Sequence, residues 1–400
     1  MYHKRIYLDN AATSYPKPPA VLAAMVEYAG TCGASAGRGA YAEAQESARV
    51  IRDCRQKLAR LFHGADPDHF IFTLNCTDAL NLAIHGFLRP GDHAICTAMD
   101  HNSILRPLND LQSQSHVSVT RVPAHGQTGL VDPSQIAAAI KPNTRMICIG
   151  HASNVTGTVQ AIRQIGAIAK GHGIALLVDA AQTAGHVPID VAADGIDFLA
   201  CPGHKGLLGP LGTGFLYIRP GLERELATIR QGGTGSASER DVQPNFMPDK
   251  FEAGSHNAIG IAGLSAGLDY ILERGVMALA EHQRAISGTF IEGVENVQGL
   301  KILGPQGVAH RVAVFSVRIE GVEPLELAQR LEHDFGILTR PGLHCAPGAH
   351  ETIGSSITGV QDASSGTTRL SFGAFNTLHE SQFAADALSS IALELAFSAR

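Results

Sequence analysis

Ile174-Ala175-Leu176-Leu177-Val178-Asp179-Ala180-Ala181-Gln182 and Phe198-Leu199-Ala200-Cys201-Pro202-Gly203-His204-Lys205-Gly206 are the stretches from which the fold is read. Each is an uncharged apolar run that opens onto a polar tip. The first ends on an acid, the second on a His-Lys pair set among glycines. A parallel strand buried on both faces reads as such a run, and its first polar residue falls at the C-terminal edge of the sheet. Outward from these two, strand-like runs recur at Phe70–Phe72, His93–Met99, Val117–Val122, Met146–Ile149 and Gly214–Ile218, with helical patterns at Pro133–Ile140 and Arg163–His172. Short apolar strands alternating with helices predict a doubly wound α/β sheet, whose ligands collect at the C-terminal strand ends.

Beyond this block a turn-rich connector, Gly232–Ser236 and Pro244–Pro248, leads to a long helical pattern from Ile259 to Val297. Strand-like Val312–Val317, Ile337–Thr339 and Thr368–Ser371, helix-like Pro324–Phe335 and a terminal helix Leu378–Ser398 predict a smaller α+β unit. A chain of 400 residues exceeds one ordinary core. The expected division is a large domain over 15–255 and a small one built from 1–14 and 256–400.

Composition is that of a globular protein, 44% apolar and 17% charged. A net charge of −6 gives no reason to expect nucleic acid or an anionic membrane as partner. No apolar run approaches bilayer length, and Met1–Ile6 passes into strand-like Ile6-Tyr7-Leu8 without a signal-peptide core, so the expected location is cytoplasmic. The seven cysteines are scattered and form no CxxC, so neither a disulfide framework nor a zinc or other metal site is expected. Most of them sit in apolar runs and read as small buried hydrophobes.

Neighbouring strand ends that present an acid, Asp179, and an amine, Lys205, suit a cofactor with a basic ring nitrogen and an aldehyde. Pyridoxal 5′-phosphate has both. Lys205 would form the Schiff base, and Asp179 would keep the pyridine nitrogen protonated. The glycines around Lys205 let backbone approach a ligand closely, and burial beside cationic groups would lower its pKa. Gln182, one short turn beyond Asp179, can donate to the ring's phenolic oxygen. Thr73–Asn81 follows a strand and opens a helix, so the free N–H groups near Asn75, Cys76 and Thr77 make an anion site for the phosphate. His101 follows the run His93–Met99 and is placed to stack on the ring and move protons. Cys345 departs from the other cysteines, in Arg340-Pro341-Gly342-Leu343-His344-Cys345-Ala346-Pro347-Gly348-Ala349-His350. An exposed thiol on a mobile loop, beside His344 and Arg340, suits a nucleophile held as thiolate. Arg369 is a candidate clamp for a substrate carboxylate.

Together these residues resemble a cysteine desulfurase of the class V, fold-type I pyridoxal-phosphate-dependent transferases, over essentially the whole chain. Leu8–Thr13 resembles the family's opening motif, with Ala12 beside the substrate, and Arg38-Gly39 its early RG segment. Ser153–Thr158 resembles the loop whose Asn touches substrate and ring, a role that passes to Asn154. Phe251–Ser255 resembles the segment whose hydroxyl reaches the phosphate in the other subunit, implying a homodimer with shared sites. Arg340–Cys345 resembles the RxGxHC pattern of group II, the SufS-like and selenocysteine-lyase-like branch. Two positions depart from the pattern. Many group II members have Ser or Thr where this chain has Pro202, which donates no hydrogen bond, so the phosphate falls to Cys76, Thr77, His204 and Ser255. Leu343 differs from the residue often found beside the HC pair, which leaves the sulfur-accepting partner open.

The resemblance implies that L-cysteine is bound by Arg369 and Asn154, that Lys205 and His101 move protons, and that Cys345 attacks the substrate sulfur. The products would be L-alanine and a Cys345 persulfide for an acceptor protein, with an iron–sulfur scaffold, a shuttle protein and another thiol pathway all open. L-Selenocysteine is an alternative substrate, and another class V aminotransferase or lyase an alternative enzyme. A cofactor-free Cys345/His344 hydrolase or a sulfur-carrying scaffold would leave Asp179, Gln182 and Lys205 unexplained.

Overall fold

The computed structural model describes residues 5–36, 39–356 and 365–398; Arg38 of the RG segment lies outside them. Strands in chain order are β1 (Ile6–Tyr7), β2 (Phe70–Thr73), β3 (His93–Thr97), β4 (Ser118–Val122), β5 (Thr144–Gly150), β6 (Ala175–Asp179), β7 (Phe198–Pro202), β8 (Gly214–Ile218), β9 (Leu300–Leu303), β10 (Val314–Ile319), β11 (Ile337–Leu338), β12 (Arg340–Gly342) and β13 (Thr367–Ser371). Helices are α1 (Pro19–Glu27), α2 (Ala42–Phe62), α3 (Cys76–Phe87), α4 (Asn102–Gln114), α5 (Pro133–Ala138), α6 (Ile162–Gly171), α7 (Ala258–Arg274), α8 (Val276–Val294), α9 (Pro324–Phe335), α10 (Pro347–Thr352) and α11 (Leu378–Ser398). None of the described helices is long and apolar enough to cross a membrane.

Seven strands form the large sheet in the order β2-β8-β7-β6-β5-β3-β4. Its central strands are apolar throughout because each face meets its own core. Along β6, Leu176 and Val178 join one cluster while Ala175 and Leu177 join the other; along β7, Leu199 and Cys201 alternate with Phe198 and Ala200. Each fully buried leucine contributes about 1.5–3 kcal/mol relative to exposure. The sheet is mixed rather than wholly parallel, since β8 runs antiparallel to both β7 and β2. The cause is the connection after β7. Residues 203–213 contain no helix, and a parallel return needs a crossover of a dozen or more residues. That short turn carries His204 and Lys205, and it holds them over the strand edge instead of sending them round a helix.

A four-stranded sheet, β12-β13-β10-β9, forms a second layer with its own core around Phe290, Phe315 and Phe372. The N-terminal strand pairs with β11, and Leu8 is wholly buried in that second core. The long helical pattern after residue 258 is two helices, broken at Gly275 with φ +81°. Of these, α7 packs into the first core through Ile261, Leu264, Leu268 and Ile271. Helix α8 runs on from Leu279 in the first core to Ile286 and Phe290 in the second. The change from one core to the other therefore falls within α8, beyond the expected division at 255/256.

Candidate active site

The C-terminal ends of β3, β5, β6 and β7 open into a cleft of about 680 Å³, lined among others by Cys76, Thr77, His101, Asn154, Asp179, Gln182, His204 and Lys205. Here the strand order reverses, with β3 lying between β5 and β4. Asp179 ends β6 in register with Ala200 of β7. Its Oδ1 accepts from Ala181 N at 2.9 Å and lies 3.3 Å from Cys76 Sγ. Burial lowers the pKa of Lys205, an effect the nearby Asp179 opposes. The turn is held from below: the His204 carbonyl accepts from Ser14 N at 3.0 Å, Thr13 Oγ1 at 3.0 Å and Lys17 Nζ at 2.7 Å. Burial brings Lys17 down to about 8. Gln182 Nε2 is committed to the Ala11 carbonyl at 3.0 Å.

His101 caps α4. Its Nδ1 accepts from Ser103 N at 3.1 Å, so the neutral ring carries its proton on Nε2. Burial lowers the pKa of this ring. Ser103 Oγ lies 2.8 Å from Thr77 Oγ1, which links the α4 cap to the start of α3. At that start Asn75 Oδ1 accepts from Asp78 N, while the N–H groups of Cys76 and Thr77 have no intrahelical acceptor.

Cys345 stands at the rim. Only residues 343–346 separate β12 from α10. The Cys345 carbonyl accepts from Asn102 N at 2.9 Å, directly beside His101, and Asn154 Nδ2 donates to the His344 carbonyl at 2.6 Å. The thiol-bearing residue is exposed and the other cysteines are buried or half-buried. The Cys345 loop is thus a short turn tied to the start of α4 and to the segment after β5 at two successive carbonyls. Nor is His344 a cation: burial, then Arg369, holds its pKa well below the usual imidazole value. Arg369 is buried, with Nη2 2.7 Å from Asp9 Oδ1, Nη1 3.1 Å from the Asn154 carbonyl, and a buried Nε without a partner.

Residues 6–382 match the class V aminotransferase family model. A probable cysteine desulfurase of Methanothermobacter thermautotrophicus is 37% identical over 391 residues, 97% of this chain and 94% of that protein. The chain belongs to the cysteine desulfurase family. A cysteine desulfurase of Yersinia pestis is 32% identical over 85% of this chain and 84% of its own length. Among solved structures, the apo cysteine desulfurase of Thermococcus onnurineus NA1 superposes with a TM-score of 0.88 at 30% identity, covering 98% of this chain and 95% of that one. The S-sulfonic acid form of CsdA from Escherichia coli gives 0.84 at 28% identity, with the same coverage. Members of this family are generally pyridoxal-phosphate enzymes.

The residues present fit that cofactor. His204 Nδ1 is a buried nitrogen without a partner, on the residue before Lys205, and the α3 N-terminus offers donors in the same cleft. Pro202 lines the cleft and offers no donor. Ser255 lies elsewhere, in a separate cavity of about 540 Å³ with Arg230 and His256. Its segment is pinned to β2 by Glu252, which pairs with Arg55 and accepts from Phe72 N at 2.7 Å. Ala12 is not among the cleft-lining residues; the neighbouring Ala11 is the one that meets Gln182. Sequence reasoning missed Asp9, Lys17, Ser103 and Asp100. The last is a buried acid pushed up to about 7 by desolvation, which accepts from Thr97 N at 2.6 Å and Gly150 N at 2.7 Å. Asp100 and Ser103 lie within two residues of His101, and Lys17 sits in a Pro-Lys-Pro run. Only three-dimensional neighbours reveal what they hold.

Proposed function

We propose that the chain is a pyridoxal-phosphate-dependent cysteine desulfurase that releases L-alanine from L-cysteine and leaves the sulfur as a persulfide on Cys345. The observation that carries this reading is the exposed Cys345 turn docked on Asn102, beside the cleft that holds Lys205 and Asp179. Held in this cleft, with Lys205 as its resting anchor, the cofactor would supply the electron sink that weakens the Cβ–S bond once the lysine amine is free. Asp179, Gln182, Cys76, Thr77, His204 and His101 are the residues that would hold it.

The remaining work belongs to side chains. Lys205, its amine made less basic by burial, takes the Cα proton and returns a proton to carbon as the C–S bond breaks. His101, neutral and with its proton on Nε2, moves protons at the substrate thiol. Arg369 offers Nε to the substrate carboxylate, and Asp9 must release Nη2 for a two-point grip. Cys345 Sγ forms the S–S bond as the Cβ–S bond breaks, and a thiol acceptor then removes the outer sulfur. Its exposure suits a protein acceptor. The exposed Ser255 suits a homodimer in which that hydroxyl completes the other subunit's phosphate site.

The test is alanine and sulfide release from L-cysteine by cofactor-loaded enzyme with excess reductant, comparing wild type with Cys345→Ala. Equal alanine and sulfide from wild type, nearly absent in the variant, supports the reading. Equal alanine from both removes Cys345 from the reaction and points to a lyase.

A further inference from the structure

A hydrogen-bonded chain that the reaction does not consume runs from the cysteine turn into α10 and the residues after it. His344 Nε2 lies 2.9 Å from the Arg340 carbonyl. A carbonyl only accepts, so Nε2 carries the proton and Nδ1 is bare. His350 Nε2 stands 3.1 Å from that Nδ1 and must be its donor, which leaves His350 Nδ1 as an acceptor. Ser355 Oγ supplies the hydrogen at 2.8 Å, with the more distant His350 carbonyl, at 3.3 Å, as its other acceptor among the described residues. Both rings are neutral in this assignment, and the Leu343 carbonyl offers the His350 ring a further acceptor. Both histidines are buried, and the cations that face them, Arg369, Arg340 and Arg318, favour the neutral rings.

The chain ends on a strained piece of backbone. His344 has φ +52° and Cys345 φ +57°, two successive non-glycine residues in the left-handed region. Each costs about 1–3 kcal/mol and persists only where surrounding structure holds it. Asn154 and Asn102 hold the two carbonyls. They leave the His344 ring to fix the side-chain half of the turn, and among the described residues that ring is hydrogen-bonded to the Arg340 carbonyl and to His350.

We infer that His350 and Ser355 are positioning residues for Cys345: they fix the tautomer and orientation of the His344 ring, and through it the left-handed turn that holds the thiol at the rim of the cleft. The inference rests on the reading of Cys345 as the sulfur acceptor. It explains why a histidine five residues from the thiol, and a serine five further on, are both buried.

The experiment uses full-length, cofactor-loaded enzyme and compares His350→Phe, His350→Gln and Ser355→Ala with wild type. His350→Phe keeps the ring volume and loses both hydrogen bonds. In His350→Gln the amide still donates toward His344. The readouts are kcat and KM for L-cysteine, bound cofactor by visible absorbance, and the iodoacetamide alkylation rate of Cys345, with Cys345→Ala as blank. Expected for His350→Phe is a fall in kcat of about tenfold to a hundredfold, the cost of a reacting group misplaced by about 1 Å. KM should stay within about twofold and bound cofactor should be unchanged, as for a group acting only on the chemical step. His350→Gln should recover most of the kcat, Ser355→Ala should fall between the two, and alkylation should shift in step with kcat. A His350→Phe enzyme with wild-type kcat and alkylation overturns the inference. So do Phe and Gln variants equally impaired, with cofactor lost in parallel. If His350→Phe does not fold, Ser355→Ala decides alone, and unchanged kcat and alkylation reject the chain. Full activity of Cys345→Ala is a separate failure, which removes the nucleophile and not merely its support.

Discussion

The two halves of the candidate active site are built on different principles. The lysine half is made of strand ends: Asp179 and Lys205 sit where they do because β6 and β7 are buried on both faces and must shed their first polar residue at the edge. The cysteine half is a four-residue connector, 343–346, whose backbone lies partly in a disfavoured region and whose order comes from side chains of other elements. The first should tolerate changes to its outlying supports and fail on a clash at the turn. The second should fail by small displacements that leave the fold and the cofactor intact.

The largest effect separates the halves outright. Lys205→Ala should remove activity completely and leave no borohydride-trappable cofactor, because the proposed covalent anchor and proton carrier would both be gone. Cys345→Ala should lose roughly a hundredfold or more of desulfurisation while it keeps the bound cofactor's colour. Visible absorbance and peptide mapping after borohydride check both. If Cys345→Ala also lost its cofactor, the two halves would be one structural unit and the comparison would fail.

A smaller effect probes the packing beneath the lysine. A Cβ on Gly206 would lie 2.3 Å from the Ala184 carbonyl and 2.7 Å from His186 Nδ1. The carbonyl belongs to backbone and cannot turn aside. Gly206→Ala should therefore destabilise the protein by about 3 kcal/mol, at the upper end for overpacking, and weaken cofactor binding as well. Urea denaturation and a cofactor titration measure the two. A variant of unchanged stability would mean that the lysine turn shifts freely, contrary to the carbonyl bonds that His204 receives from Thr13, Ser14 and Lys17.

How much was legible in the sequence follows the same division. The seven strands of the large sheet were readable because two-sided burial leaves a continuous apolar run, and Asp179 and Lys205 were readable as the residues that end such runs. Antiparallel β8 was hidden because direction depends on the length of a connection that composition does not mark. That helix α7 packs into the first core was hidden because its apolar face is the same whichever core it meets. On the cysteine side, Cys345 was legible as a thiol in a Pro/Gly loop, but the loop's order was not. Its anchors, Asn102 and Asn154, lie about 190 residues or more away in the chain and act on main-chain carbonyls. The neutrality of His344 was hidden for the same reason, since its burial is a property of the folded chain.

The smallest effect tests both halves by pH. Burial lowers His151 and His186, behind the lysine turn, and His350, behind the cysteine turn, to about 4 each. Unfolded, each histidine takes up a proton near pH 6.5, so between about pH 6.5 and 4 the unfolded state binds more protons. Stability therefore rises with pH through this window and is lost as pH falls toward 4. For a fully neutral histidine the loss between pH 7 and pH 5 is about 2 kcal/mol. Asp100 acts in the opposite direction: its carboxyl, raised to about 7, binds a proton in the folded state before it does so in the unfolded one. That contribution is common to wild type and any histidine variant, so it cancels in the difference. His350→Gln should thus shorten the fall in unfolding free energy between pH 7 and pH 5 by about 2 kcal/mol, measured by urea titration at each pH. An unchanged fall would mean that His350 is not held neutral in the folded protein, and the donor–acceptor order assigned behind Cys345 would not stand.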